Sequence, residues 1–474
     1  MLVPSVADRH LLSRFSWGIT PSLVNQSAKA GGARAWFDEQ LDPAAMSADL
    51  PLADWWPHLE WTAAEKFAAD VSGEVDAFEQ GNDFARWTLL KRMTSSKQLL
   101  EVMADLWSNL LYVSQIRKAF PHRALYDATI RQHALGTYED LLTASVLHPA
   151  MLCYLDNARS TWRAPNENLG RELLELHSVG RAAGYTELDV LNSTRILTGY
   201  RVAIGGTCQV YYSPEDHFVG LVQVLDFTRL NLLPDGRTVT REYLSYLARH
   251  ESTANRIARA LAVRFVSDTP SDELIEAVAS AYLDSGTDIP TTLRALVDHA
   301  EFAASDGVKT RTPAEDFVNT YRTMQVEVSP PIADENCAAL AILTQCASMG
   351  QRPFDWPRPD GFPDTGEAWS SASRMLGSWR AHKNIAGGIY PKIGAKYQPS
   401  GYWLGRMPVR FDALVDRLCR LILSRPSNPR LLDTAVKAVD TQPDQIITSA
   451  HVVVRKRMAL LLVALLDTPD HMTR

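Results

Sequence analysis

The sequence predicts an all-α fold, a large multi-helix domain with one small β-hairpin excursion near residues 200–240. Three observations carry this reading. Apolar residues recur at spacings of three and four over most of the chain, as in Leu99, Val102, Met103, Leu106 and Trp107. Starting and stopping residues such as Thr20-Pro21, Asp42-Pro43, His148-Pro149 and Thr186-Glu187-Leu188-Asp189 punctuate these runs. The texture changes once, where Val202, Ile204, Val210 and Tyr211 surround Gly205-Gly206 and a second β-like run follows from Val222 to Phe227. One helical domain over residues 1–474 is therefore expected. Within it, residues 1–199 form an N-terminal helical region, 200–240 a β-like insertion and 241–474 a C-terminal helical region.

In chain order, residues 7–17 read as a short helix. A second runs from Thr20-Pro21 toward Trp36 and Phe37 across a Gly31-Gly32 break. Residues 51–75, with Trp55, Trp56 and Trp61 around Pro57, read as short helices. The pattern from Phe84 to Ser114 is helical and divides at Ser95-Ser96. Helices follow over 122–135 and 138–147, and a short one begins at His148-Pro149. After the β-like insertion, Ala254 to Val266, Ser271 to Leu283 and Thr291 to Phe302 are well patterned. Residues 349–371 form a Pro/Gly/Trp-rich loop, and a loop of that length is usually functional or tightly docked. Helices at about 409–424, 429–439 and 449–467 close the chain.

Composition narrows the function. The 474 residues are 46% hydrophobic and 22% charged, with a net charge of −7 and no Lys/Arg block, so nucleic-acid binding is not expected. Five cysteines at irregular spacings, none in a CxxC, argue against a disulfide framework or thiolate zinc site and fit a reducing compartment. The first residues lack the pattern of a secretory signal, so a cytoplasmic location is expected. The longest apolar run, Met458 to Leu466, is too short to span a membrane. Twelve tryptophans serve a helical core first and a sugar-stacking groove second.

The chemistry concentrates in Asn166-Glu167-Asn168-Leu169-Gly170-Arg171-Glu172-Leu173-Leu174-Glu175-Leu176-His177. Asn166 is a good N-cap and Gly180 a good left-handed stop. At α-helical spacing Glu167, Arg171 and Glu175 form one row, with Asn168 and Glu172 beside it. Leu169, Leu173 and Leu176 form the opposite face, and His177 falls on the Leu173 side and is expected to point inward. Read alone, such a row is a solvated ladder.

The ordered motifs around it resemble the signature of the bacterial "domain of unknown function 1800" family. They are Asn166-Glu167-Asn168 with Arg171-Glu172-Leu173-Leu174-Glu175-Leu176-His177, then Gly184-Tyr185-Thr186-Glu187 and Thr198-Gly199-Tyr200. Leu12-Ser13-Arg14-Phe15-Ser16-Trp17-Gly18, Trp107-Ser108-Asn109, Tyr126-Asp127 with Arg131, Tyr154-Leu155-Asp156-Asn157 and Met349-Gly350-Gln351-Arg352-Pro353-Phe354 support it. The resemblance covers nearly the whole chain. It implies a mostly helical fold and no particular activity, and it implies a sulfatase-like protein as a partner. The chain departs from the family at Leu110-Leu111, where His-Phe usually follows the Asn, and in lacking an export signal.

Placed among these motifs, the 166–177 row becomes the wall of a site. The first expectation is a hydrolase acting on a glycan or carbohydrate-like substrate by carboxylate acid/base chemistry. Its catalytic candidates are Glu172, Glu175, Glu167, Arg171 and Asp127. Its substrate-binding candidates are Asn109, Trp107, Asn166, Asn168, Arg131 and His217, the last read as exposed in the polar loop Ser213-Pro214-Glu215-Asp216-His217. Glu167 and Glu175 stand roughly 12 Å apart by helical rise, so Glu172 or Glu175 paired with an acid from another helix, Asp127 or Asp156, is the better arrangement. A non-catalytic binding or assembly protein with a buried Glu/Arg/Asn network is the alternative. A carboxylate/His metal site ranks lower, because Glu172 is followed at i+3 by Glu175 rather than His. No metal ligand is named and no cofactor is expected, with a divalent metal left open.

Overall fold

The structure is a computed structural model that describes residues 2–46, 49, 52–115 and 117–474. Pro51, the first residue of the Trp-rich stretch read as short helices, lies outside the described residues. The fold is mostly α-helical, and the named strands occur only in two-stranded antiparallel pairs.

Local chemistry explains where the helices start and stop. Thr20 caps Pro21–Ala30, and Gly31 ends it in a left-handed conformation before Ala33–Gln40 begins. Asp76 caps Ala77–Thr94, and the chain turns at Ser95 and Ser96 into Gln98–Leu110. Thr186 and Asp189 form a complete capping box on Glu187–Leu197. His148 and His250 each accept a backbone N–H at a helix start.

The β excursion holds two hairpins. Tyr200–Val202 pairs with Val210–Tyr212, and Val222–Val224 pairs with Phe227–Arg229. Helical structure resumes at Arg237–Ala248. The C-terminal half also contains helices that the sequence reading above does not mark, among them Pro313–Thr323, Ala338–Ser348 and Ala372–Ala386.

One cluster of buried apolar side chains runs from Leu11 to Leu466 and draws on both sides of the hairpins. All five cysteines are buried and none is in a disulfide. Among the described residues no helix is long and apolar enough to cross a membrane.

Candidate functional site

The segment that spacing predicts as one helix over 166–177 is two kinds of helix. An α-helical turn spans Asn168–Glu172, and a π-helical turn spans Leu173–His177. Asn166 still serves the start, its side-chain oxygen accepting the Asn168 N–H at 3.0 Å. The wider turn carries Glu175 off the expected row. Arg171 keeps Glu167 at 3.1 Å, and its second partner is Glu187 at 2.6 Å rather than Glu175. Glu175 instead meets Arg181 at 2.6 Å. Single π turns recur at functional sites because they re-aim side chains within a helix.

Close packing holds the α turn in place. A Cβ on Gly170 would lie 2.3 Å from the Thr194 hydroxyl oxygen and 2.8 Å from the Thr194 backbone nitrogen. Gly170→Ala is therefore expected to lower stability by about 1–3 kcal/mol, read from the urea midpoint.

Of the three acids in 166–177, Glu172 is the one without a protein partner among the described residues. Among the described residues Glu172 has no hydrogen bond or ion pair, and it is half-buried. Burial pushes its pKa above the ordinary value, with Glu175 next in weight and Asp360 adding to it against Arg171 and Arg181. Glu172 and Glu175 thus differ in environment, one carboxyl unpaired and the other beside a guanidinium.

Asp360 comes from the Pro/Trp-rich loop, which is docked. The Asn109 amide donates to the Phe362 carbonyl and accepts its N–H, both at 2.7 Å. Gly361, at φ +72°, passes so close that a Cβ would lie 2.3 Å from the Asn109 carbonyl oxygen. The Tyr112 hydroxyl accepts the Trp356 N–H at 2.6 Å, and the Trp356 indole donates to Asp360 at 2.9 Å. Asn109 is thus a loop anchor. Asn109→Ala is expected to cost about 1–3 kcal/mol by leaving the Phe362 backbone groups unpaired, with faster proteolysis within residues 352–363 as the readout.

Other candidates lie elsewhere. Trp107 does not line a groove: it is fully buried, and its indole donates to the Ala134 carbonyl at 2.9 Å. Asp127 and Arg131 do not join the 166–177 segment in any ion pair. Arg131 lies between Asp127 and Glu101, 2.6 Å from each, and both acids are buried. His217, expected to be exposed, is only 2% so, because Thr198 and Asn231 cover it. Its Nδ1 lies 2.9 Å from the Thr198 carbonyl and its Nε2 3.2 Å from the Asn231 side-chain oxygen. His217 still contributes to the floor of an open groove of about 500 Å³ that Trp162, Glu215 and Phe218 also line. Asn168 is exposed on the helix start. His177 is buried, as expected, with Nδ1 3.0 Å from the carbonyl of Leu110.

The structure also assembles a constellation that the sequence does not reveal. Asp316, His382 and His471 are buried, with their ligating atoms within 4.8 Å of one another, close enough to hold a metal ion. They already form an ion network. His382 contacts Asp467 at 2.7 Å and Asp316 at 3.2 Å, and Arg374 contacts Asp316 at 3.3 Å. Burial works against the charged ring, yet Asp316 and Asp467 outweigh it and raise His382 to about 9. Burial also works against the Asp316 carboxylate, yet His382 and Arg374 hold it well below the ordinary range. A divalent ion here would compete with the His382 proton and with Arg374.

A family model described as a protein of unknown function, DUF1800, matches residues 10–473. No curated protein and no solved structure matches the chain.

Proposed function

The chain belongs to the DUF1800 family, whose function is unknown, and we propose that it is a hydrolase acting on a glycan or carbohydrate-like substrate with Glu172 as proton donor. The observation that carries this is the unpaired, half-buried Glu172 carboxyl one residue before a π turn that presents Glu175. Acid/base glycoside cleavage needs two carboxyls in unlike environments. Glu172 gives its proton to the leaving oxygen as the glycosidic bond breaks. Glu175, beside Arg181, either takes a proton from the attacking water or attacks the sugar itself, depending on the separation between the two groups in the complex.

Asp360 is a third acid close to the pair. Asp127 and Arg131 take no catalytic role in this reading and orient helices through Glu101. The proposal is tested by sugar release from a panel of polysaccharides, comparing the unmodified protein with Glu172→Gln.

A non-catalytic binding role is the second reading. What favours it is the Glu167–Arg171–Glu187 ladder, whose three side chains are paired and partly or well exposed. In that case neither the unmodified protein nor Glu172→Gln would release sugar from any polysaccharide.

A further inference from the structure

A cavity of about 340 Å³ opens between the first helix, Val6–Arg14, and the last, Pro469–Met472. Its lining is rich in guanidinium groups: Arg9, Arg311, Arg425, Arg430 and Arg474. Two lining carboxylates oppose them. Asp306 pairs with Arg9 at 2.5 Å. Asp470 is shared between Arg425 and Arg430. Behind the wall, Glu315 meets Arg474 at 3.0 Å and is itself shared with Arg264.

Arg311 has no such partner. It is 5% exposed, and its side chain donates only to the His471 carbonyl at 3.0 Å and the Ser13 hydroxyl at 3.1 Å. Among the described residues no carboxylate lies within ion-pair distance of it. With Glu315 counted wholly for Arg474, three carboxylates serve four of the five lining arginines, and Arg311 is the one left without an ion-pair partner among the described residues. Arg14 adds to the imbalance. It is fully buried, donates to the Val266 and Ser305 carbonyls, and has no carboxylate partner among the described residues.

Arginine does not relieve such a surplus by losing its proton, and an uncompensated buried charge is costly. We infer that this cavity is a binding site for a small dianion, such as a phosphate group or a dicarboxylate, held by Arg311, Arg425 and Arg430. Planar guanidinium forks match both ligands. The occupant's negative charge answers Arg311, which has no ion-pair partner among the described residues, and Arg425 and Arg430, which share the single carboxylate Asp470. Arg430 stands at the mouth, its side chain 58% exposed, so a ligand reaches it from solvent. The inference does not rest on the hydrolase reading, which concerns other residues.

The test is calorimetric titration of the full chain with inorganic phosphate and, separately, with succinate, at constant ionic strength set by sodium chloride. Saturable binding of either dianion supports the site, and the tighter of the two identifies its chemistry. Arg430→Gln, on the rim, is expected to weaken binding about tenfold, the effect of losing one charge-assisted hydrogen bond. Arg311→Met is expected to abolish binding. Should that variant fail to fold, Arg430→Gln and Arg425→Gln decide the matter. Absence of binding by both dianions, or binding unchanged in the rim variants, overturns the inference.

Discussion

His382→Ala is expected to destabilise the protein by about 3–5 kcal/mol, the cost of removing one partner of a buried charge pair. The helix Ala372–Ala386 carries His382 against Asp316 on Pro313–Thr323, and Asp467 lies at the end of the helix Met458–Leu466. The ring therefore ties three helices together. Its loss leaves Asp316, which is wholly buried, with Arg374 as its remaining close cation. Urea denaturation at neutral pH measures the effect.

The same network sets a pH dependence. Folding raises His382 from 6.5 to about 9. The folded state binds that proton more tightly than the unfolded chain, so its stabilisation is fully present below pH 6.5 and is lost as pH rises through about 9. Asp316 acts at the other end. Its depressed pKa gives stability that is present above the ordinary aspartate value and lost as pH falls through the folded one. Stability measured from about pH 6 to 10 should fall on the alkaline side in the unmodified protein and show less of that fall in His382→Ala. Equal slopes in both would place the alkaline transition elsewhere.

Glu172→Gln is expected to lower hydrolysis by about 10²–10⁴-fold, the usual contribution of a positioned general acid, while leaving the urea midpoint close to its original value. The fold should tolerate the change because Glu172 makes no hydrogen bond or ion pair among the described residues. The amide keeps the shape and removes the proton that the leaving oxygen needs. Glu175→Gln should also abolish turnover, with a small effect on stability because Arg181 is 80% exposed. Unfolding of both variants would favour the structural-network alternative.

Much of the helical architecture is legible in the sequence because apolar spacing reports burial directly. The stripe Leu99, Val102, Met103, Leu106 and Trp107 is buried where the periodicity places it. The same logic hides the helix Pro313–Thr323, in which every residue is buried, Glu315, Asp316, Asn319 and Arg322 included. Polar residues satisfied by distant partners look like a solvent face when read locally. Asp316 finds His382 66 positions away, and His382 finds Asp467 85 positions away. No local pattern encodes such pairs.

The candidate site is only partly legible for a related reason. The density of acids and amides points to 166–177, and the length of the Pro/Trp loop points to its docking. The π turn has no signature in residue spacing, so a continuous Glu167–Arg171–Glu175 row rests on a 3.6-residue period that the backbone abandons at Leu173. His217 misleads because polar neighbours in sequence suggest water, whereas Thr198 and Asn231 arrive from elsewhere to satisfy it.

Whether Glu172 is a proton donor in glycan hydrolysis is decided by reducing-sugar release from a polysaccharide panel. The unmodified protein and Glu172→Gln are compared, each confirmed folded by its urea midpoint. Release from at least one polysaccharide by the unmodified protein is expected, with a loss of at least about a hundredfold in the variant. Release at equal rates by both folded proteins, or by neither, would contradict that role.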